Sequence, residues 1–85
     1  MPYFVEVRPA AERDLKALPR NIFLKVISMI DSLAENPYQP CVEKPSGSKN
    51  SYRVRVGDYR ILYQIHKKVL LVVVVRVRHR REVYR

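Results

Sequence analysis

The chain has 85 residues and a formal net charge of +9, from 17 Lys and Arg against 8 Asp and Glu, with one cysteine. That length allows one domain, residues 1–85, which buries only about 60–65% of the surface its unfolded chain exposes. A single cysteine excludes an intrachain disulfide and a cysteine-rich zinc site, and the apolar run Val69–Val75 falls far short of the roughly 20 residues of a membrane span.

The charge points to a polyanionic partner, nucleic acid first. A membrane surface fits less well, because the basic residues are spread over strands and a tail and not over an amphipathic helix. No signal-peptide pattern opens the chain, so a cytoplasmic protein is the expectation. Cys41 is expected to be a packing residue.

Tyr3 to Val7 reads as a first strand, stopped by Pro9. "PAAERDLKAL" follows with Pro at a first helical position and Ala11, Leu15 and Leu18 at helical spacing, closed by Pro19. From Arg20 a longer helix places Phe23, Ile27, Ile30 and Ala34 on one stripe, flanked by Val26 and Leu33, and ends at Asn36-Pro37. Pro37 to Asn50, with three prolines and Gly47, is a surface loop.

"SYRVRVGDYRILYQI" shows two alternating runs joined by Gly57-Asp58, a two-residue hairpin of type II′. A third strand from about Lys68 to Val77 is apolar on both faces, which demands a central or covered position. His66, beside Lys67 and Lys68 at the second turn, is assigned to the surface. The order is β-α-α-β-β-β: an α+β domain in which a two-helix hairpin packs on one face of a mainly antiparallel sheet and the last three strands form a meander.

The hairpin sets Arg55 opposite Arg60. Tyr52, Val54, Val56, Tyr59, Ile61 and Tyr63 share the core side, leaving Arg53, Arg55 and Arg60 on the other. Like charges facing each other across a ladder are destabilising, by an amount within about 0.2–1 kcal/mol. Guanidinium groups so arranged suit bidentate contacts to phosphate, which relieves the repulsion. The tail "RHRREVYR" adds His79 with an imidazole able to accept or donate a proton, Tyr84 with a hydroxyl and a stacking ring, and the guanidinium of Arg80. Read alone, such a tail is more often a solvated basic terminus than a site. No Gly-rich phosphate loop or metal-ligand spacing is present, and no cofactor is implied.

"YRVRVGDYRILYQI", the valine-rich strand and "HRREVYR" together resemble the RelE toxins of the RelE/ParE toxin–antitoxin superfamily, over almost the whole chain. The resemblance implies a ribosome-dependent endoribonuclease that cuts messenger RNA in the decoding site through 2′-hydroxyl attack, without a metal, and is neutralised in a hetero-oligomer by a cognate antitoxin. Arg60, Arg80, Tyr84 and His79 are then the catalytic candidates. Arg60 and Arg80 stabilise charge, Tyr84 stacks on a base or moves a proton, and His79 is either the general base or an organiser of the backbone. Arg53, Arg55, Arg78, Arg81 and Lys49 are the expected RNA contacts. Arginines stand at positions 53 and 55 where lysines are common in the family, so these two supply electrostatics and not proton transfer. Arg78 stands where relatives often have glycine, and the chain ends without the C-terminal helix of some relatives. The alternatives are a ParE-like gyrase inhibitor and a basic RNA-binding module without chemistry.

Overall fold

A computed structural model of the chain describes residues 2–44 and 50–83. Its elements run β1 (Phe4–Val7), α1 (Pro9–Lys16), α2 (Arg20–Glu35), β2 (Val42–Glu43), β3 (Ser51–Val56), β4 (Tyr59–His66), a 3-10 turn (Lys67–Val69), β5 (Leu71–His79) and α3 (Arg80–Val83). The strands form one sheet in the order β1-β5-β4-β3-β2. β3, β4 and β5 form the expected antiparallel meander, and β1 joins β5 in parallel.

Proline punctuates the helical half. Pro9 opens α1, where its missing N–H is no loss. Pro19 precedes α2, and Pro37 forces Asn36 into an extended conformation (φ −151°, ψ 99°) that ends α2. The stripe buried deepest on α2 is Val26, Ile30 and Leu33, with the expected Phe23 and Ile27 only partly covered. These side chains pack with Ala11 and Leu15 of α1 on Val54, Val56, Ile61, Tyr63, Ile65, Val72, Val74 and Val77 of the sheet. Full burial of one such aliphatic side chain contributes roughly 1.5–3 kcal/mol, so this single layer is the main source of stability.

The hairpin register matches the sequence expectation: Arg55 pairs Arg60, Val54 pairs Ile61 and Val56 pairs Tyr59. Gly57 has φ +59°, and Asp58 is not among the residues of positive φ, as a type II′ turn requires. The third strand differs from expectation. It starts at Leu71, because Lys67–Val69 curl into a 3-10 turn capped by Leu70 in the left-handed region (φ 51°), and it continues to His79, so Arg78 and His79 are strand residues. Short β2 and α3 were not foreseen. Cys41 is exposed, contrary to the packing role expected of it.

Between Leu62 and Tyr63 the β4–β5 ladder shifts: Leu62 pairs Arg76 but Tyr63 pairs Val74, leaving Val75 as an extra residue. This bulge resets the alternation of β5. Val74 and Val77, an odd number of residues apart, thereby both enter the helical core. α1 meets β5 where β1 has ended. Arg8 N–H still reaches the Val74 carbonyl (2.9 Å), but Pro9 has no N–H to continue the ladder. Asp14 of α1 takes over, accepting from the Val77 N–H at 3.0 Å and from Arg76 Nε and Nη2 at 2.7 and 3.2 Å. Burial of Asp14 works to raise its pKa, but the hydrogen bonds from Arg76 and Val77, with the fields of Arg76 and Arg78, hold it below the usual carboxylate value. Among the described residues no helix is long and apolar enough to cross a membrane.

Candidate nucleic-acid interface

The register brings four of the candidate arginines together on the face opposite the helices. Arg55, Arg60 and Arg78 form one row across β3, β4 and β5, and Arg53, Leu62 and Arg76 form the next. Neighbouring strands lie about 4.8 Å apart, so the first row sets three guanidinium-bearing residues within about 10 Å. The bulge is the reason Arg78 belongs to it. Had the register nearer the second turn run unbroken, Val77 would stand beside Arg60 and Arg78 would point to the core side.

The three members of the row differ in exposure. Arg55 is exposed, Arg78 half-buried and Arg60 buried, with only 6% of its surface accessible. The cationic face is therefore graded in depth, with Arg60 its buried member. A guanidinium held this deeply is fixed by its surroundings, and a phosphate brought to it meets a donor group whose orientation cost is already met by the fold.

The hairpin turn organises the neighbouring cations. Arg55 Nε donates to the Gly57 carbonyl at 3.0 Å. The Arg80 N–H donates to the Asp58 carbonyl at 2.7 Å, and Arg80 Nε lies 3.9 Å from Asp58 Oδ1. Asp58 thus fixes the start of α3 against the turn, a role not drawn from the sequence although an acidic turn residue near a basic tail could have signalled it. Arg53 Nε is paired with Glu43 Oε2 of β2 at 3.1 Å, so part of its charge is met within the protein. Arg81 is exposed.

His79 occupies a different position. It pairs Tyr59, which lies on the core side of β4, and its ring meets the Tyr59 ring edge-on at 5.1 Å between centroids. Its Nδ1 accepts the Arg81 N–H at 3.3 Å. With Nδ1 accepting, a neutral ring in this arrangement carries its proton on Nε2. The strand therefore separates His79 from the row of Arg55, Arg60 and Arg78 by one face of the sheet. Lys49 and Tyr84 lie outside the described residues.

Residues 5–84 match the family model described as the ParE toxin of the type II toxin–antitoxin system parDE. The chain is 36% identical over its whole length to toxin RelG of Mycobacterium tuberculosis, covering 99% of that protein. It is 27% identical to the putative toxin RelE1 of Methanocaldococcus jannaschii, covering 98% of it. Among solved structures it resembles a chain of the toxin–antitoxin complex RelBE2 of Mycobacterium tuberculosis, with a TM-score of 0.81, 31% identity, 93% of this chain and 99% of that one covered. A chain of the archaeal RelE–RelB complex of Pyrococcus horikoshii gives a TM-score of 0.82 at 27% identity, with 94% and 97% covered. Fold, family model and full-length relatives agree, and the chain belongs to the RelE/ParE family of type II toxin–antitoxin toxins.

Proposed function

We propose that this protein is a ribosome-dependent endoribonuclease that cuts messenger RNA in the decoding site and is held inactive by a cognate antitoxin. The observation that carries the reading is the row Arg55, Arg60 and Arg78, with Arg80 tied to the turn at the end of the same hairpin. Attack of a ribose 2′-hydroxyl on the adjacent phosphorus builds negative charge on the phosphoryl oxygens and expels the 5′-oxygen, leaving a 2′,3′-cyclic phosphate. Arg60, buried and oriented, stabilises the charge on the phosphoryl oxygens, while Arg55 and Arg78 hold the flanking backbone. Arg80 faces the leaving oxygen from the hairpin end, and Tyr84 stacks on a base or takes part in proton transfer. His79 orders the turn into α3 through Tyr59 and the Arg81 N–H. Arginines 53 and 55 supply electrostatics alone.

The antitoxin follows from the relatives, whose solved complexes pair a RelE-type toxin with RelB, and from the +9 charge, which suits an acidic or amphipathic segment. The test is to incubate purified protein with messenger RNA, with and without programmed ribosomes, and to map the new 5′ ends. Cleavage only with ribosomes is expected. An intact message together with inhibited gyrase supercoiling would instead support the alternative of a gyrase-directed toxin.

A further inference from the structure

The arginine row is only one end of a longer feature. On β4 the residues Arg60, Leu62, Gln64 and His66 alternate onto the same face, and the His66 Nε2 and Gln64 Oε1 atoms lie 3.1 Å apart, which confirms their common side. Leu62, Gln64 and Val75 border a shallow hollow of about 230 Å³ in the middle of this face. Beyond His66 the chain opens into a concavity of about 820 Å³ lined by Asn50, His66, Lys67, Lys68 and Val69. A hollow of this size has room for a ligand of small-molecule dimensions. One lining residue, Asn50 (φ 62°), and Leu70 (φ 51°), which follows the lining residue Val69 in the chain, are held in left-handed backbone. That conformation costs a branched side chain such as that of Leu70 about 1 kcal/mol or more and is found where a turn is shaped for a purpose.

We infer that the Lys67-Lys68 turn and its concavity form a second backbone-phosphate subsite for the same RNA strand that meets Arg60, with the strand running along β4. His66 lies six steps along the strand from Arg60, roughly 20 Å at about 3.3 Å per residue. The face is cationic at both ends; between them Leu62, Gln64 and Val75 carry no charge, and the Arg53 and Arg76 that flank Leu62 are ion-paired with Glu43 and Asp14. A single strand matches this pattern, with phosphates over the two basic ends and a base resting on the apolar middle. A folded protein partner would more naturally place acidic groups along the whole face. The inference rests on the reading that RNA is the polyanion, and it adds where the strand travels after leaving the arginines.

The test compares wild-type protein with Lys67→Gln/Lys68→Gln and with Arg20→Gln/Lys25→Gln, which removes the same charge from exposed positions on α2, across the sheet. Binding of a single-stranded RNA of about ten nucleotides, and of a dinucleotide, is measured by fluorescence anisotropy against salt. Each phosphate contact adds about 0.7 to the slope of log K on log salt for single strands. The turn variant is expected to lose about 1.4 from that slope with the longer RNA, so its affinity deficit shrinks about sevenfold between about 50 and 200 mM salt. The dinucleotide should bind both proteins alike, and the α2 variant should keep the wild-type slope. Lys67→Arg/Lys68→Arg, which keeps both charges, should keep the wild-type affinity and slope. Equal slopes for the turn and α2 variants would overturn the subsite, as would an equal loss with the dinucleotide, which would mean an independent site. Loss of antitoxin binding alone would assign the concavity to the protein partner and overturn the inference. A wild-type protein without salt-dependent RNA affinity would sink the RNA reading itself, a result visible before any variant is compared.

Discussion

Replacing Asp14 by Ala removes three hydrogen bonds at once, and their energies differ. The two from Arg76 join side chains 38% and 18% exposed, so solvent screening limits the pair to about 1 kcal/mol. The third satisfies the N–H of Val77, a residue only 4% exposed at an edge where β1 has already ended. An interior N–H stripped of its acceptor costs about 1–3 kcal/mol. Asp14→Ala should therefore cost about 2–4 kcal/mol, against a total stability of roughly 4–13 kcal/mol for a domain of this length. Arg76→Ala, which leaves Asp14 to accept from Val77, should cost about 1 kcal/mol. Asp14→Asn keeps an oxygen for Val77 and should fall close to the Arg76 variant. Urea unfolding followed by circular dichroism reads the difference: with a slope of about 1 kcal/mol/M, the midpoint of Asp14→Ala drops by about 2–4 M. Equal midpoints for Asp14→Ala and Arg76→Ala would refute the edge-capping argument. The pH dependence gives a second check. Asp14 is held below its ordinary value in the folded state, so the unfolded chain binds the proton more readily. Its contribution is complete above the unfolded carboxylate pKa and is lost as pH falls through the lower folded value. Asp14→Asn should flatten that acid limb.

Arg60→Ala should lower ribosome-dependent cleavage by about 10²–10³-fold, the usual effect of deleting one preorganised donor; mapped 5′ ends in a single-turnover reaction measure it, and near-wild-type cleavage would remove Arg60 from the chemistry. Gly57→Ala should destabilise by about 1 kcal/mol although a Cβ there meets nothing within 4 Å, because φ +59° strains an L-residue; Gly57→Asn should cost less, and equal thermal midpoints for the three proteins would contradict this. Tyr63→Phe removes the bond its hydroxyl donates to the Pro37 carbonyl at 2.9 Å, and calorimetry should show a loss of about 1 kcal/mol.

The parts of this molecule that were legible in the chain are those fixed by neighbours in sequence. Gly57-Asp58 sets the hairpin register because only a few turn geometries match the strand twist, and each pairing then follows by counting. Prolines 9, 19 and 37 bound the helices because the ring denies both an N–H and a helical predecessor. The valine run demanded a covered strand, and β5 lies between β1 and β4. The basic face on the hairpin followed from alternation alone, and with it most of the candidate interface.

What alternation could not reach depended on contacts between segments distant in the chain. Val75 counts as a bulge only because β4 and β5 are pinned at both ends, and that one residue decides that Arg78 stands beside Arg60 while His79 meets Tyr59 on the other side. The burial of Arg60, the use of Asp14 to finish a strand edge and the tie between Asp58 and Arg80 are likewise tertiary. The sequence by itself determined the elements, the hairpin and the excess of positive charge, because these depend on backbone sterics and on composition. Which cations share a face, and how deeply each is held, was decided by packing, because a single inserted residue inverts every side chain beyond it.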